Sequence, residues 1–196
     1  VLGFLCGGLV LGTILALLNL SHRAWIRWPA WIFVEFWRST PLLVQAIWVH
    51  FSLPAFTGLS TTPFQSGLIA LVFNVSAYCS EVIRAGILGV PKGQFEAARA
   101  LGLKPVNVWR LVVLPQAFKL VVPPMAGTVL SIFKATAILQ ILAINDLMRA
   151  ASRVSSATFQ PLEIYTAAAV LALMVGLAIT LVAGRIEARF ARADAR

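Results

Sequence analysis

The residues best equipped for chemistry are few, and they stand inside apolar sequence. Asn74, Tyr78 and Glu81 fall at i, i+4 and i+7, which sets an amide, a phenol and a carboxylate on one helix face, and Arg84 follows Glu81 by three. Lys134 sits alone in the run FKATAILQ. Polar groups at membrane depth are costly, so they mark pathways or sites by default. One reading is a polar stripe along a solute route. Another is a membrane-embedded enzyme with Glu81 and Lys134 as an acid–base pair, but no nucleophile constellation, metal-ligand spacing or cofactor loop accompanies them. The structural alternatives are a Glu81–Arg84 ion pair held by the protein interior and a Lys134 that snorkels to the outer interface.

A third possibility lies in GQFEAARALGLKPVNVWRLVVL, Gly93 to Leu114, where a short helix pattern, a Gly, a Pro and a second helix pattern follow one another. Phe95, Ala98 and Leu101 recur near helical spacing, Gly102 is a helix stop, and Pro105 opens the next helix. Alone, this reads as a helix-turn-helix, and the whole chain as a membrane-anchored DNA-binding regulator. Its surroundings decide against that.

The 196 residues are 60% hydrophobic and 12% charged, far from a soluble average, and they read as one transmembrane domain over 1–196. The chain opens on Val1 in an uncharged run with no basic n-region, so it reads as starting inside its first span rather than as a signal peptide. Val1 to Leu20 is that span, with Gly3, Gly7, Gly8 and Gly12 as interleaved small-xxx-small pairs. Ser39 to Ser80 carries no charge and is about twice what one crossing needs, so it folds back at LPAFTGLSTTP, Leu53 to Pro63. A region from about Leu111 to Leu147, interrupted by Pro115, Pro123 and Pro124, predicts one crossing plus an irregular segment. Ile164 to Gly184 is the last span. The fold class is therefore all-α integral membrane, with about five crossings.

Basic residues orient the spans. Thirteen of the sixteen fall after span one, in the loop after span three or in the tail with Arg185, Arg189, Arg192 and Arg196; two, Arg149 and Arg153, fall on the other side. The positive-inside rule makes the first set cytoplasmic. The net charge of +9 is thereby a topology signal, not a nucleic-acid footprint. The elbow after span three becomes a cytoplasmic loop whose alanines offer a low surface for insertion into a partner's groove. Trp25, Trp28, Trp31 and Trp37 read as an interfacial belt; Gln45, His50 and Gln140 as interhelical hydrogen-bonders; Cys6 and Cys79 as small buried hydrophobes.

Glu96-Ala97-Ala98, Gly102, Val112, Leu114 and Pro115 match the spacing EAA-x3-G-x9-I-x-LP of ABC importer permeases, with Val for Ile. RSTPLLVQ, SAYCSEVIRAGILGVPKGQFEAARALG and LPQAFKLVVPPM resemble segments of the polar amino acid permease family, and together these stretches cover about Arg38 to Asp146. The resemblance implies a multi-pass permease of the bacterial cytoplasmic (inner) membrane, non-catalytic and without a cofactor or metal, whose elbow is a coupling helix between spans three and four. It implies docking of Glu96, Ala97, Ala98 and Gly102 on a separate ABC ATPase, a second permease chain, identical or homologous, and an extracytoplasmic substrate-binding protein. The sequence has no G-x4-G-K-[ST] loop of its own. FKATAILQ resembles the family's K-[DN]-[TS]-S-L segment, but Ala135 replaces the usual carboxylate or amide, which favours substrate carboxylates or anionic side chains near Lys134.

Overall fold

The structure is a computed structural model that describes residues 2–58, 60–142 and 144–194; the side chains of 2, 187 and 189–194 are not described. Expectations resting on Val1 and on the side chains of Arg189, Arg192 and Arg196 lie outside it. The described chain runs through α1 (Leu2–Asn19), α2 (Ala24–Ser39), α3 (Leu42–Thr57), α4 (Pro63–Leu88), α5 (Lys92–Ala100), α6 (Pro105–Leu142), α7 (Leu147–Thr158) and α8 (Pro161–Asp194).

Helix α4 is the hub. Its start is a full capping box, with Thr62 Oγ1 accepting from Gln65 N and Gln65 Oε1 accepting from Thr62 N, and Pro63 at the first helical position. Helix α1 lies parallel to it: a Cβ at Gly8 would fall 2.4 Å from Val75 Cγ1, and one at Gly12 would fall 2.8 Å from Cys79 Cβ and the Ser76 carbonyl. Of the two glycine pairs in α1, Gly8/Gly12 forms this seam, whereas Gly3 has nothing within 4 Å. Helix α6 crosses the hub antiparallel, with Gly86 against Val121 and Cys79 Sγ 3.6 Å from Met125 Sδ. Without a hydrophobic preference between protein and lipid, such close backbone approach supplies the packing.

Between α2 and α3 the helix breaks. Pro41 has no N–H to give and drives Thr40 into extended backbone (φ −106°, ψ 143°). The carbonyls this leaves open are met by side-chain amides. Gln45 Nε2 donates towards Trp37 O at 2.8 Å and Thr40 O at 3.0 Å, while Asn74 Nδ2 donates to Trp37 O at 3.2 Å and Gln45 Oε1 at 3.0 Å. Irregular backbone of this kind survives in a membrane only where protein covers it or it lines a cavity.

Helices α4, α6 and the first part of α8, Pro161–Ile186, are long and apolar enough to cross a membrane, and the expected first and second spans are the shorter apolar helices Gly3–Asn19 and Leu42–Thr57. Several expectations shift. Pro123 and Pro124 do not interrupt α6, which continues through them to Thr136; its irregular parts are the wide π-helical turns Val108–Val113, just before Pro115, and the tight 3-10 turns Ala137–Leu142. Trp37 leaves the belt: it is buried and packs edge-on against Phe73 at 5.1 Å, because it shares the inner face of α2 with Ala30 and Val34, whereas Trp25, Trp28 and Trp31 face outward. Cys79 is buried, but Cys6 is exposed on the far side of α1 from the seam.

Candidate functional site

The elbow begins where α4 ends. Helix α5 closes with Gly102 in the left-handed region (φ 73°), Gly102 N donating to Arg99 O at 2.9 Å and Leu103 N to Ala98 O at 3.2 Å. This pair of bonds is the Schellman arrangement, and glycine takes the required conformation without a Cβ penalty. Phe95, Ala98 and Leu103 then turn inward onto Ile87, Val90, Val108, Val113 and Ala117, a small core separate from the main one. Phe95 also meets Trp109 edge-on at 6.3 Å.

The opposite face of α5 is open, and it carries Glu96, Ala97 and Ala100. Of the four residues expected at the surface, Glu96 and Ala97 are there and Gly102 forms the corner, but Ala98 is buried. Its role is to seat the elbow on the ends of α4 and α6. Leu101 departs in the other sense. Six positions after Phe95 is about 240° around a helix, so Leu101 leaves the Phe95/Ala98 face and is 80% exposed beside the corner. An apolar residue directly before a helix-stop glycine was the available signal. The second helix of the supposed helix-turn-helix is the start of the 38-residue α6, so it is not a free recognition element.

A cavity of about 700 Å³ opens at the α2–α3 break. Its walls are residues 38–42, Asn74 and Tyr78 from α4, and one face of α6 that includes Thr128, Ser131 and Ala135. The only charged residue among them is Arg38. Arg38 Nη1 stands 3.8 Å from Glu81 Oε2 and 3.9 Å from Glu35 Oε2, and its guanidinium lies 5.9 Å from the centre of the Tyr78 ring. Glu81 Oε1 accepts from Arg84 Nε at 3.1 Å and also from Arg84 Nη2. A neighbouring cavity of about 440 Å³, lined by Arg27, Glu35, Glu81 and Arg84 among others, shares Arg38 as its wall.

The expected stripe is therefore divided. Asn74 and Tyr78 line the cavity at the break, while Glu81 lies in the charged cavity next to it, ion-paired with Arg84. Lys134 lines a third, largely apolar space of about 1140 Å³ beside α8, and its neighbour Ala135 faces the polar one. Glu81 and Lys134 are not brought together, so the acid–base pair is not assembled. Gln45 is an interhelical hydrogen-bonder as expected, and His50 Nδ1 likewise meets Ser66 Oγ at 2.9 Å. Sequence reasoning missed Arg38 as a cavity residue because it was counted with the cytoplasmic charges.

The model of the family described as "Binding-protein-dependent transport system inner membrane component" matches residues 8–192. The chain is 38% identical over 186 residues to the L-cystine transport system permease protein TcyB of Bacillus subtilis (strain 168), covering 94% of this chain and 79% of that one. It is 35% identical to the glutamine transport system permease protein GlnP of Escherichia coli (strain K12), covering 94% and 85%. Among solved structures, that of an amino acid ABC transporter with histidines superposes with a TM-score of 0.89 at 34% identity, covering 95% of this chain and 86% of that one. An inward-facing MetNI methionine ABC transporter structure shares the fold, with a TM-score of 0.78 at 18% identity over 95% of this chain and 89% of that one.

Proposed function

The chain belongs to the family of binding-protein-dependent transport system inner membrane components, and from that premise we propose how its geometry serves transport. It is a membrane permease subunit of an ATP-driven ABC importer, non-catalytic itself, and its cargo is a polar amino acid or a close analogue. An ABC ATPase docks on the exposed face of α5 through Glu96, Ala97 and Leu101, on the cytoplasmic side, where the tail also lies. The cavity at the α2–α3 break is a station on the substrate route. A second permease chain completes the translocation unit, and an extracytoplasmic binding protein delivers the ligand.

The observation that carries this reading is the two-sided elbow. Its outer face is a small carboxylate-bearing surface suited to a groove; its inner face, through Ala98, Phe95 and Leu103, packs on the ends of α4 and α6. Those same two helices wall the cavity, through Asn74 and Tyr78 on one and Thr128 to Ala135 on the other. When the paired ATPases close on ATP, the elbow moves with them, and tight packing passes the displacement to both walls as a rigid unit. Rigid elements with two arrangements are the physical means of such coupling.

The test is uptake of radiolabelled amino acids into proteoliposomes that hold the permease with its ATPase and ATP inside and the binding protein outside. Accumulation that needs ATP is expected. Lack of uptake of every L-amino acid and of L-cystine, by a complex that assembles and hydrolyses ATP, would overturn the reading.

A further inference from the structure

We propose that Arg38 receives the α-carboxylate of the transported amino acid, taking it in exchange for Glu81. This rests on the reading of the break cavity as a station on the substrate route.

A guanidinium offers five N–H donors in a planar fork matched to a carboxylate. Arg38 spends none of them on a hydrogen bond among the described residues. Its contacts to Glu35 and Glu81 are 3.9 and 3.8 Å long, beyond hydrogen-bond distance, and its Nε is buried without a partner. That buried Nε is closed to a cavity ligand, so an acceptor must meet the outer nitrogens of this side chain, which is 34% exposed. Arg38 walls a cavity of about 700 Å³ whose other polar linings are hydroxyls and one amide. The amide nitrogen of Asn74 is already committed, since both its donor contacts hold the helix break, so it shapes the wall and has no donor to offer cargo.

The exchange is favoured by what Glu81 keeps. Its Oε1 accepts from both Nε and Nη2 of Arg84, so it stays paired when Arg38 turns to a substrate. A bidentate fork then replaces a long ion pair, and charge-assisted bonds of that geometry are the strong ones. The same charge pattern sets the substrate class. No carboxylate lines the cavity and Ala135 occupies one wall, so a lysine or arginine side chain would find Arg38 as the one charged lining residue and no acidic partner on the wall. Neutral and acidic side chains meet no such cost.

Equilibrium binding to the permease–ATPase complex in nanodiscs, without the binding protein, tests this with radiolabelled L-glutamine, L-cystine and L-arginine, and with the α-amide of L-glutamine as competitor. At least one neutral probe should bind, L-arginine at least tenfold more weakly, and the amide should compete at least tenfold less well than L-glutamine. Arg38→Gln should weaken the neutral probe tenfold or more, with Arg38→Lys in between. Glu81→Gln, which removes the competing carboxylate, should bind at least as tightly as wild type. Equal weakening by Arg38→Gln and Glu81→Gln would make Arg38 only a strut between α2 and α4. Unchanged binding in Arg38→Gln, equal binding of L-arginine, or no binding by any probe would also overturn the proposal. Proteoliposome uptake by the same preparations separates the two failures: normal uptake with any of these results leaves the importer reading standing, whereas no uptake at all removes it.

Discussion

Helices α4 and α8 each present a 26-residue apolar stretch of crossing length, yet 56% of the most apolar window of α4 is buried inside the chain and only 6% of that of α8. Mean hydropathy marks both as spans, and its higher value, 2.4 against 1.5, falls on the less buried helix, so it does not report burial. Side-chain size does. The buried positions of α4 include Ser66, Gly67, Ala70, Ser76, Ala77, Ser80 and Gly86, which admit neighbouring backbones, whereas α8 turns out Leu171, Leu173, Met174, Leu177 and Leu181. Between helices in lipid, small residues create the close approach and large aliphatic ones gain little over lipid contact. Helix α4 is thus the element around which the chain folds, and α8 is left to lipid and, in the proposed importer, to the second permease chain.

The sharpest way to break this contrast is to fill the α1–α4 seam. Gly12→Leu places its first carbon against Cys79 Cβ and the Ser76 carbonyl, and backbone cannot retreat as a flexible side chain can. Overpacking of this kind costs about 1–3 kcal/mol or more. The expected result is loss of monodisperse protein in detergent; a wild-type melting curve would contradict the seam.

The elbow repeats the contrast on a smaller scale, within one short helix. Ala98→Leu should destabilise by about 1–3 kcal/mol because it enters a filled core, while Ala97→Leu on the open face should stay within about 0.5 kcal/mol. Equal melting temperatures for the two would show that α5 has no inner face. Next comes Asn74→Leu, which leaves Gln45 Oε1 without its donor at the helix break; about 1 kcal/mol is expected, read from thermal unfolding in detergent. The smallest effect belongs to α8. Gly184→Ala meets nothing within 4 Å and favours the helix, so stability should hold or rise by less than about 1 kcal/mol. A clear loss there would mean that α8 packs against its own chain at Gly184 as well as higher up, where Ala168 is buried and Gly176 faces Leu130.

How far these features were legible in the sequence follows the same division. Charge-free runs and turn residues locate the long spans and the elbow, because the bilayer enforces length and the backbone enforces turn chemistry. Burial on a short helix is harder to read. Ala97 and Ala98 are identical in type, and only the three-dimensional position of α6 makes one a surface residue and the other a floor. Leu101 was assigned to the wrong face because three recurring apolar residues look alike until the helix rotation is followed through the stop. Proline misled in α6, since in a membrane helix its neighbours can satisfy the freed carbonyls. At Pro41 it ended α2 as expected of a proline, and the consequence was a cavity. Arg38 was counted as a loop charge because net topology counts do not register depth, and the contacts that bring it to Glu81 and Tyr78 join residues about forty positions apart.

The central claim is that the outer face of α5 joins the chain to its ATPase. It is tested most directly by ligand-stimulated ATP hydrolysis in the reconstituted complex with ATPase and binding protein, comparing wild type with Glu96→Lys, a change confined to an exposed carboxylate. The account predicts that stimulation falls at least tenfold, towards the basal rate, while the permease itself folds and melts as before. Equal stimulation in the two proteins would contradict it and remove α5 as the coupling element.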